Sequence, residues 1–171
     1  MQQQQAPEVW MRGPIPGITG LLQPAAHAVL QVKAELAQLI EDYDNTRLWE
    51  QTGGVASAGF HLQHMTGVLD RLGTYAQGNL LSEQQMLELQ QEGKAPFPSC
   101  TAQQLADRFY RQTDLFLELL KNTPETELLS PRGIGRKQLP SNVLGILFHA
   151  AEHSQRHLGQ LLVTIRLQRL L

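Results

Sequence analysis

The chain contains a single cysteine, Cys100, among its 171 residues, so it cannot form an internal disulfide bond. We interpret Cys100 as a small residue near the start of a helix. The first residues, MQQQQAPEVWMRGP, lack the apolar core of a secretion signal. Both features are typical of a protein of the reducing cytoplasm, which is the location that we expect.

Long hydrophobic runs and an excess of basic charge are also missing. No run approaches the roughly 18 apolar residues of a membrane-spanning helix, so no contact with a membrane is expected. The net charge is −2 and the pI is near 6.3. This argues against nucleic acid as a partner, because phosphate binding needs a basic surface. The length suits one domain, 1–171, that opens with an irregular segment at 1–20 rich in Gln, Pro and Gly.

Strand-like alternation is absent too, whereas apolar residues recur at helical steps of three and four. The pattern predicts four long helices: from Pro24 to about residue 43 or 44, Ser57 to about Gln77, Thr101 to about Asn122, and Pro140 or Ser141 to about residue 170. A short extra helix is predicted from Ser82. The predicted core face of the third long helix is Leu105, Phe109, Leu115, Phe116, Leu119 and Leu120. The connections at 45–59, 92–100 and 124–140 are expected to be loops, which predicts an all-α helical bundle.

Half of the six histidines lie within nine residues of the last helix, at His149, His153 and His157. Histidines four residues apart lie one turn apart on the same side of a helix and can bind one metal ion. His149 and His157 are about 12 Å apart along the axis, so the three cannot share one ion. His153 and His157 point towards the apolar face of the helix and His149 towards its edge. We therefore predict that His153 and His157 form the ligand pair.

A third ligand is expected, because catalytic zinc sites usually have three protein ligands. The second helix offers His61 and His64 in the segment GFHLQHMTG. His61 lies nearer the middle of the apolar face and His64 nearer its edge, and helical geometry does not choose between them. An alternative without metal is that the histidines only pack, or form a pH-sensitive element of the core.

Two segments, GFHLQHMTGVLDRLGTYAQG and LPSNVLGILFHAAEHSQRHLGQLL, resemble the DinB/YfiT-like superfamily of metalloenzymes. The resemblance extends over about residues 24 to 171. It implies an antiparallel four-helix bundle in which His64, His153 and His157 bind one divalent metal ion, often zinc or nickel. It also implies frequent homodimers and, in some members, the transfer of a low-molecular-weight thiol.

Three neutral imidazoles would leave coordination positions open on the ion, which favours Lewis-acid chemistry on a small-molecule substrate, such as thiol transfer or hydrolysis. Asp70 and Tyr75 are candidate neighbours of the site, although Asp70 beside Arg71 is more typical of a solvated pair. Glu152 is expected to point away. HAAEH also matches the HxxEH pattern of inverted zinc peptidases, but that pattern needs the outward-leaning His149. The competing hypothesis is a non-enzymatic stress-response protein with a structural or sensory metal.

The last helix carries apolar residues on a second side as well. These are Leu144, Phe148, Ala151 and Leu162. A helix that is apolar on two sides is usually buried on two sides. We therefore expect a partner on this side, in the form of a second copy of the chain.

Overall fold

The computed structural model describes residues 6–170, which are mostly helical with one small sheet. The helices are α1 (Gln23–Leu39), α2 (Ala58–Ala76), α3 (Glu83–Gln91), α4 (Ala102–Lys121) and α5 (Val143–Leu170). The strands are β1 (Pro131–Ile134) and β2 (Leu139–Asn142). All four predicted long helices and the predicted short helix are therefore present.

Side-chain caps fix where three of the helices begin. The Ser57 hydroxyl accepts a hydrogen bond from a backbone N–H in the first turn of α2. Ser82 with Gln85, and Thr101 with Gln104, form capping boxes at the starts of α3 and α4. These side chains satisfy N–H groups that have no partner within the first turn of a helix. The three predicted starts are confirmed because each rests on a local hydrogen bond.

Two helix boundaries differ from the prediction. α1 ends at Leu39, and Asp42 just beyond it has a φ of 56°. A left-handed residue cannot continue a right-handed helix, so the predicted end near residue 43 is wrong. α5 begins at Val143 rather than at Pro140 or Ser141, because Leu139–Asn142 pairs as a strand.

The connection at 124–140, predicted to be a loop, contains an antiparallel hairpin. β1 pairs with β2 in a register that sets Pro131 opposite Asn142 and Ile134 opposite Leu139. The strands are four residues long and neither face is consistently buried. They therefore show no alternation of polar and apolar residues, which is the signal on which a strand prediction depends. The all-α prediction is wrong at this point.

The long helices enclose the apolar core. α2 packs against α4 and α5, and α1 packs against the same two helices. Fully or almost fully buried side chains at the centre include Leu36, Leu62, Leu69, Phe109, Phe116 and Ile146. Leu115 was predicted to be part of this core, but it is 63% exposed. It lies about 120° around α4 from Phe109, on the side that faces solvent.

The segment before α1 packs against the helical core, to which Ile18 and Leu22 contribute buried side chains. Residues 1–5 of the predicted irregular segment lie outside the described residues, as does Leu171. From Ala6 onward the segment is irregular apart from a 3₁₀ turn at Val9–Arg12, and Val9 is buried against α1. Cys100 is buried just before α4, as predicted. None of the helices described is long and apolar enough to cross a membrane.

Candidate metal centre

The packing of α2 against α5 brings the two histidine clusters together. On α2, Leu62 and Met65 are fully buried beside His61 and His64. On α5, the small buried residues around the histidines are Ala150, Ala151 and Ser154. Small side chains let the backbones approach, so imidazoles from the two helices meet across the contact. The predicted convergence of the two segments is confirmed.

Three of these imidazoles form one compact group. Nε2 of His64 lies 3.0 Å from Nε2 of His153. The ring centroid of His157 lies 4.4 Å from that of His64 and 4.7 Å from that of His153. One ring nitrogen from each of the three lies within 4.8 Å of the other two, a spacing that could hold a metal ion. All three side chains are half-buried.

His61 lies beside this group and is 4% exposed. Its Nδ1 lies 2.9 Å from Nδ1 of His157, where one nitrogen donates a hydrogen bond and the other accepts it. His61 belongs to neither of the potential metal-binding groups that the described residues form. It therefore acts as a hydrogen-bond partner of His157, whereas His64 is the α2 histidine that belongs to the potential metal-binding group.

His149 lies at the exposed edge of the group, as predicted: its side chain is 49% exposed and its ring centroid lies 5.1 Å from that of His153. Its Nδ1 lies 2.7 Å from Glu152 Oε1, and His149, Glu152 and His153 form a second cluster that could hold an ion. Both oxygens of Glu152 also accept hydrogen bonds from Arg156, at 2.9 and 3.0 Å. An ion pair therefore already accounts for the position of this carboxylate.

A carboxylate that sequence analysis missed fixes the ring of His64. Nδ1 of His64 donates to Glu92 Oε2 at 2.7 Å, and Arg71 donates to Glu92 Oε1 at 2.7 Å. The side chains of Glu92 and Arg71 are only 9% and 10% exposed. Gly67 leaves the room for this pair, because a Cβ there would lie 2.7 Å from Glu92 Oε1. Since a carboxylate only accepts, Nδ1 of His64 is the protonated nitrogen, which leaves Nε2 to face His153.

The predicted solvated pair of Asp70 and Arg71 is wrong. Arg71 is buried and pairs with Glu92 rather than forming a solvated pair with Asp70. Asp70 accepts a hydrogen bond from Gln85 of α3, and Tyr75 packs against the core. Arg71 could not be recognised from the sequence, because its partner lies 21 residues away at the end of α3.

Burial lowers the pKa of three of these imidazoles, those of His61, His153 and His157. It lowers the pKa of His61 to about 4, with a smaller effect from His64. Burial lowers the pKa of His157 to about 3, and the nearby His64 and His153 contribute smaller effects in the same direction. Burial also lowers the pKa of His153. A neutral imidazole has the free lone pair that a metal ligand needs, so His153 and His157 are ready to bind a cation near neutral pH.

Glu92 carries the negative charge that compensates the buried guanidinium of Arg71. Burial raises the pKa of its carboxyl, but the hydrogen bond from His64 and the charge of Arg71 together outweigh burial, and the pKa is lowered overall.

Two ligands at about 2.0–2.1 Å from a tetrahedral ion lie about 3.3 Å apart. The 3.0 Å between the Nε2 atoms of His64 and His153 is close to that separation. The three imidazoles of His64, His153 and His157 therefore fit a divalent ion.

The low pKa values of His61 and His157 predict a pH dependence for the metal-free protein. Unfolded histidines take up protons below about pH 6.5, whereas these two stay neutral in the folded state. The unfolded state then binds more protons, so the free energy of unfolding should fall by about 2 kcal/mol per pH unit from pH 6.5 to 5. Urea unfolding at several pH values measures it. The variant His61→Gln should show a shallower fall, and a flat profile in the wild type would contradict the prediction.

Two comparisons with known proteins bear on this site. A search of curated proteins found no match to the chain. The family model described as the DinB superfamily matches residues 28–161. That range contains His61 and His64 on α2 and His149, His153 and His157 on α5, and it covers most of the chain. The protein is therefore a member of the DinB superfamily.

Proposed function

We propose that His64, His153 and His157 bind one divalent metal ion, zinc or nickel, and that the protein is a metal-dependent enzyme acting on a small molecule in the cytoplasm. The observation that carries this is the meeting of the three imidazoles, with two Nε2 atoms 3.0 Å apart across two helices. The helix packing is proposed to be the antiparallel four-helix bundle that the family implies.

The surrounding residues support such a site by orienting its ligands. Glu92 accepts from Nδ1 of His64 and so directs Nε2 towards the centre. The hydrogen bond between Nδ1 of His61 and Nδ1 of His157 orients the ring of His157 from the other side. When bound, a divalent ion supplies a Lewis acid that polarises a carbonyl group or favours the thiolate form of a thiol.

Thiol transfer is favoured over hydrolysis. Hydrolysis needs a general base near the attacking water. Both carboxylates close to the cluster are already engaged, Glu92 by His64 and Arg71, and Glu152 by His149 and Arg156. Thiol transfer needs less from the protein, because a thiol bound to a metal ion loses its proton directly. A low-molecular-weight thiol is therefore the proposed co-substrate.

The alternative, a structural or sensory metal in a non-enzymatic stress-response protein, requires a closed site with four protein ligands. The central group in the described part of the chain has three members, and the nearest further imidazole, His61, is hydrogen-bonded to His157. Three ligands leave a position for a substrate, which favours the enzyme.

Cobalt loading tests the proposal. We expect protein purified without an affinity tag to bind one Co²⁺ per chain, and 2-mercaptoethanol to change the ligand-field spectrum because a coordination position is open. Less than a tenth of an equivalent of bound metal would contradict the metal site. One equivalent with a spectrum that the thiol does not change would favour the closed, non-enzymatic site.

We also propose that two copies associate through the second apolar side of α5. Phe148 on this side is 57% exposed, whereas Ala151 is buried within the chain itself. Leu144 and Leu162 are half-buried. A sedimentation mass of 19.1 kDa, that of one chain, would contradict the dimer.

A further inference from the structure

An apolar cleft of about 520 Å³ opens beside the histidine cluster. It lies between the connection that precedes α2, the first turn of α2 and the second half of α5. His61 and His157 form part of its wall. Its apolar lining residues are Val55, Ala56, Phe60, Val163 and Leu167. The volume lies within the range of roughly 300–1,000 Å³ that is typical of small-molecule sites.

The rim of this cleft leaves apolar side chains uncovered. Val55 is 46% exposed, Val163 57% and Leu167 40%. Single exposed apolar residues are common, whereas these three line one opening. The charged residue of the lining, Arg156, is already paired with Glu152. The cleft therefore offers an apolar wall rather than a free charge.

Phe60 joins the cleft to the proposed metal site. Its ring stacks on the His64 imidazole, with centroids 5.2 Å apart and planes 14° apart. The same ring lies 6.2 Å from the centroid of His157. A molecule whose polar end reaches the cluster would therefore find an apolar surface that continues directly into the cleft.

We propose that this cleft binds the apolar part of the substrate, and that the substrate class is a small molecule with a metal-coordinating head and an aliphatic or aromatic tail. The inference rests on the proposed metal site. A small molecule fits better than a second copy of the chain, because the cleft is a concavity whose volume of about 520 Å³ suits a small ligand.

A homologous series of hydroxamates tests the inference, because the head group binds zinc and only the tail varies. The probes are acetohydroxamate, hexanohydroxamate and octanohydroxamate, titrated into the zinc-loaded protein by calorimetry. Each added methylene that enters the cleft should tighten binding about two- to fourfold. Val163→Glu and Leu167→Glu, made separately, should remove this gain while leaving the affinities for zinc and acetohydroxamate unchanged. Leu170→Glu, on the same helix but outside both the cleft and the proposed dimer contact, should keep it.

The outcomes separate the two proposals. Failure to take up zinc would overturn the proposed metal site and this inference with it. Zinc uptake with affinities that do not change along the series would overturn this inference alone. If the wild type is a dimer that Val163→Glu converts to a monomer, and the hydroxamate affinities do not change with tail length, the rim contacts a second copy of the chain. That result would overturn the substrate cleft.

Discussion

Replacing His153 with alanine is expected to weaken zinc binding by about a hundredfold or more. Structural zinc sites with four ligands bind with about 10–16 kcal/mol, or roughly 3 kcal/mol for each ligand. His153 is central to the proposed site, because its Nε2 faces that of His64 at 3.0 Å and its ring packs against His157. Competition with a chromophoric chelator measures the loss. The shift in melting temperature that zinc produces should disappear with it.

His149→Ala is the matched control for this substitution. It removes an imidazole one turn away on the same helix, but from a side chain that is 49% exposed and points to Glu152. Zinc affinity should be unchanged. If His149→Ala lost zinc as His153→Ala does, the ion would belong to the cluster of His149, Glu152 and His153 instead.

The second large effect is expected from Arg71→Met, which should lower the free energy of unfolding by about 3 kcal/mol. Removing one partner of a buried ion pair leaves the other charge without compensation. The side chains of Arg71 and Glu92 are 10% and 9% exposed, so Glu92 would keep a buried carboxylate with only His64 beside it. Methionine retains much of the length of the arginine, which limits the loss of packing. Urea unfolding of the metal-free protein at pH 7.5 measures the change.

Arg108→Met provides the comparison. Arg108 and Glu88 also form an ion pair, but at 3.7 Å and with side chains that are 38% and 44% exposed. Exposed pairs contribute about 0–1 kcal/mol. Equal effects of the two substitutions would mean that the Arg71–Glu92 pair is not a buried charge pair in solution.

The helices of this protein and most of its candidate ligands can be predicted from the sequence. Starts such as Ser82 and Thr101 rest on hydrogen bonds within one turn, and such signals are local. The inward orientation of His153 and His157 follows from helical periodicity alone. The choice of His64 over His61 came only from the family resemblance, because both lie on the inner side of α2.

What could not be predicted depends on contacts between distant segments. Glu92 directly follows α3. This helix has no buried residue, so the apolar pattern of α3 does not show how α3 docks on α2. Hydrogen bonds of Gln85 to Asp70 and Thr74 fix that docking instead. The hairpin of β1 and β2 was missed because backbone pairing, rather than side-chain alternation, defines it.

Glycines inside helices are common targets when a protein is engineered for heat resistance, since alanine gains up to about 1 kcal/mol of helix propensity. Gly67 is a poor target here, because the added methyl group would press on Glu92 Oε1 and on the Arg71 guanidinium. Gly159 has no atom within 4 Å of the equivalent position, but that open space belongs to the apolar cleft beside the histidines. A thermostable derivative should therefore keep glycine at position 67, and alanine at position 159 would gain helix propensity at the expense of room in the cleft.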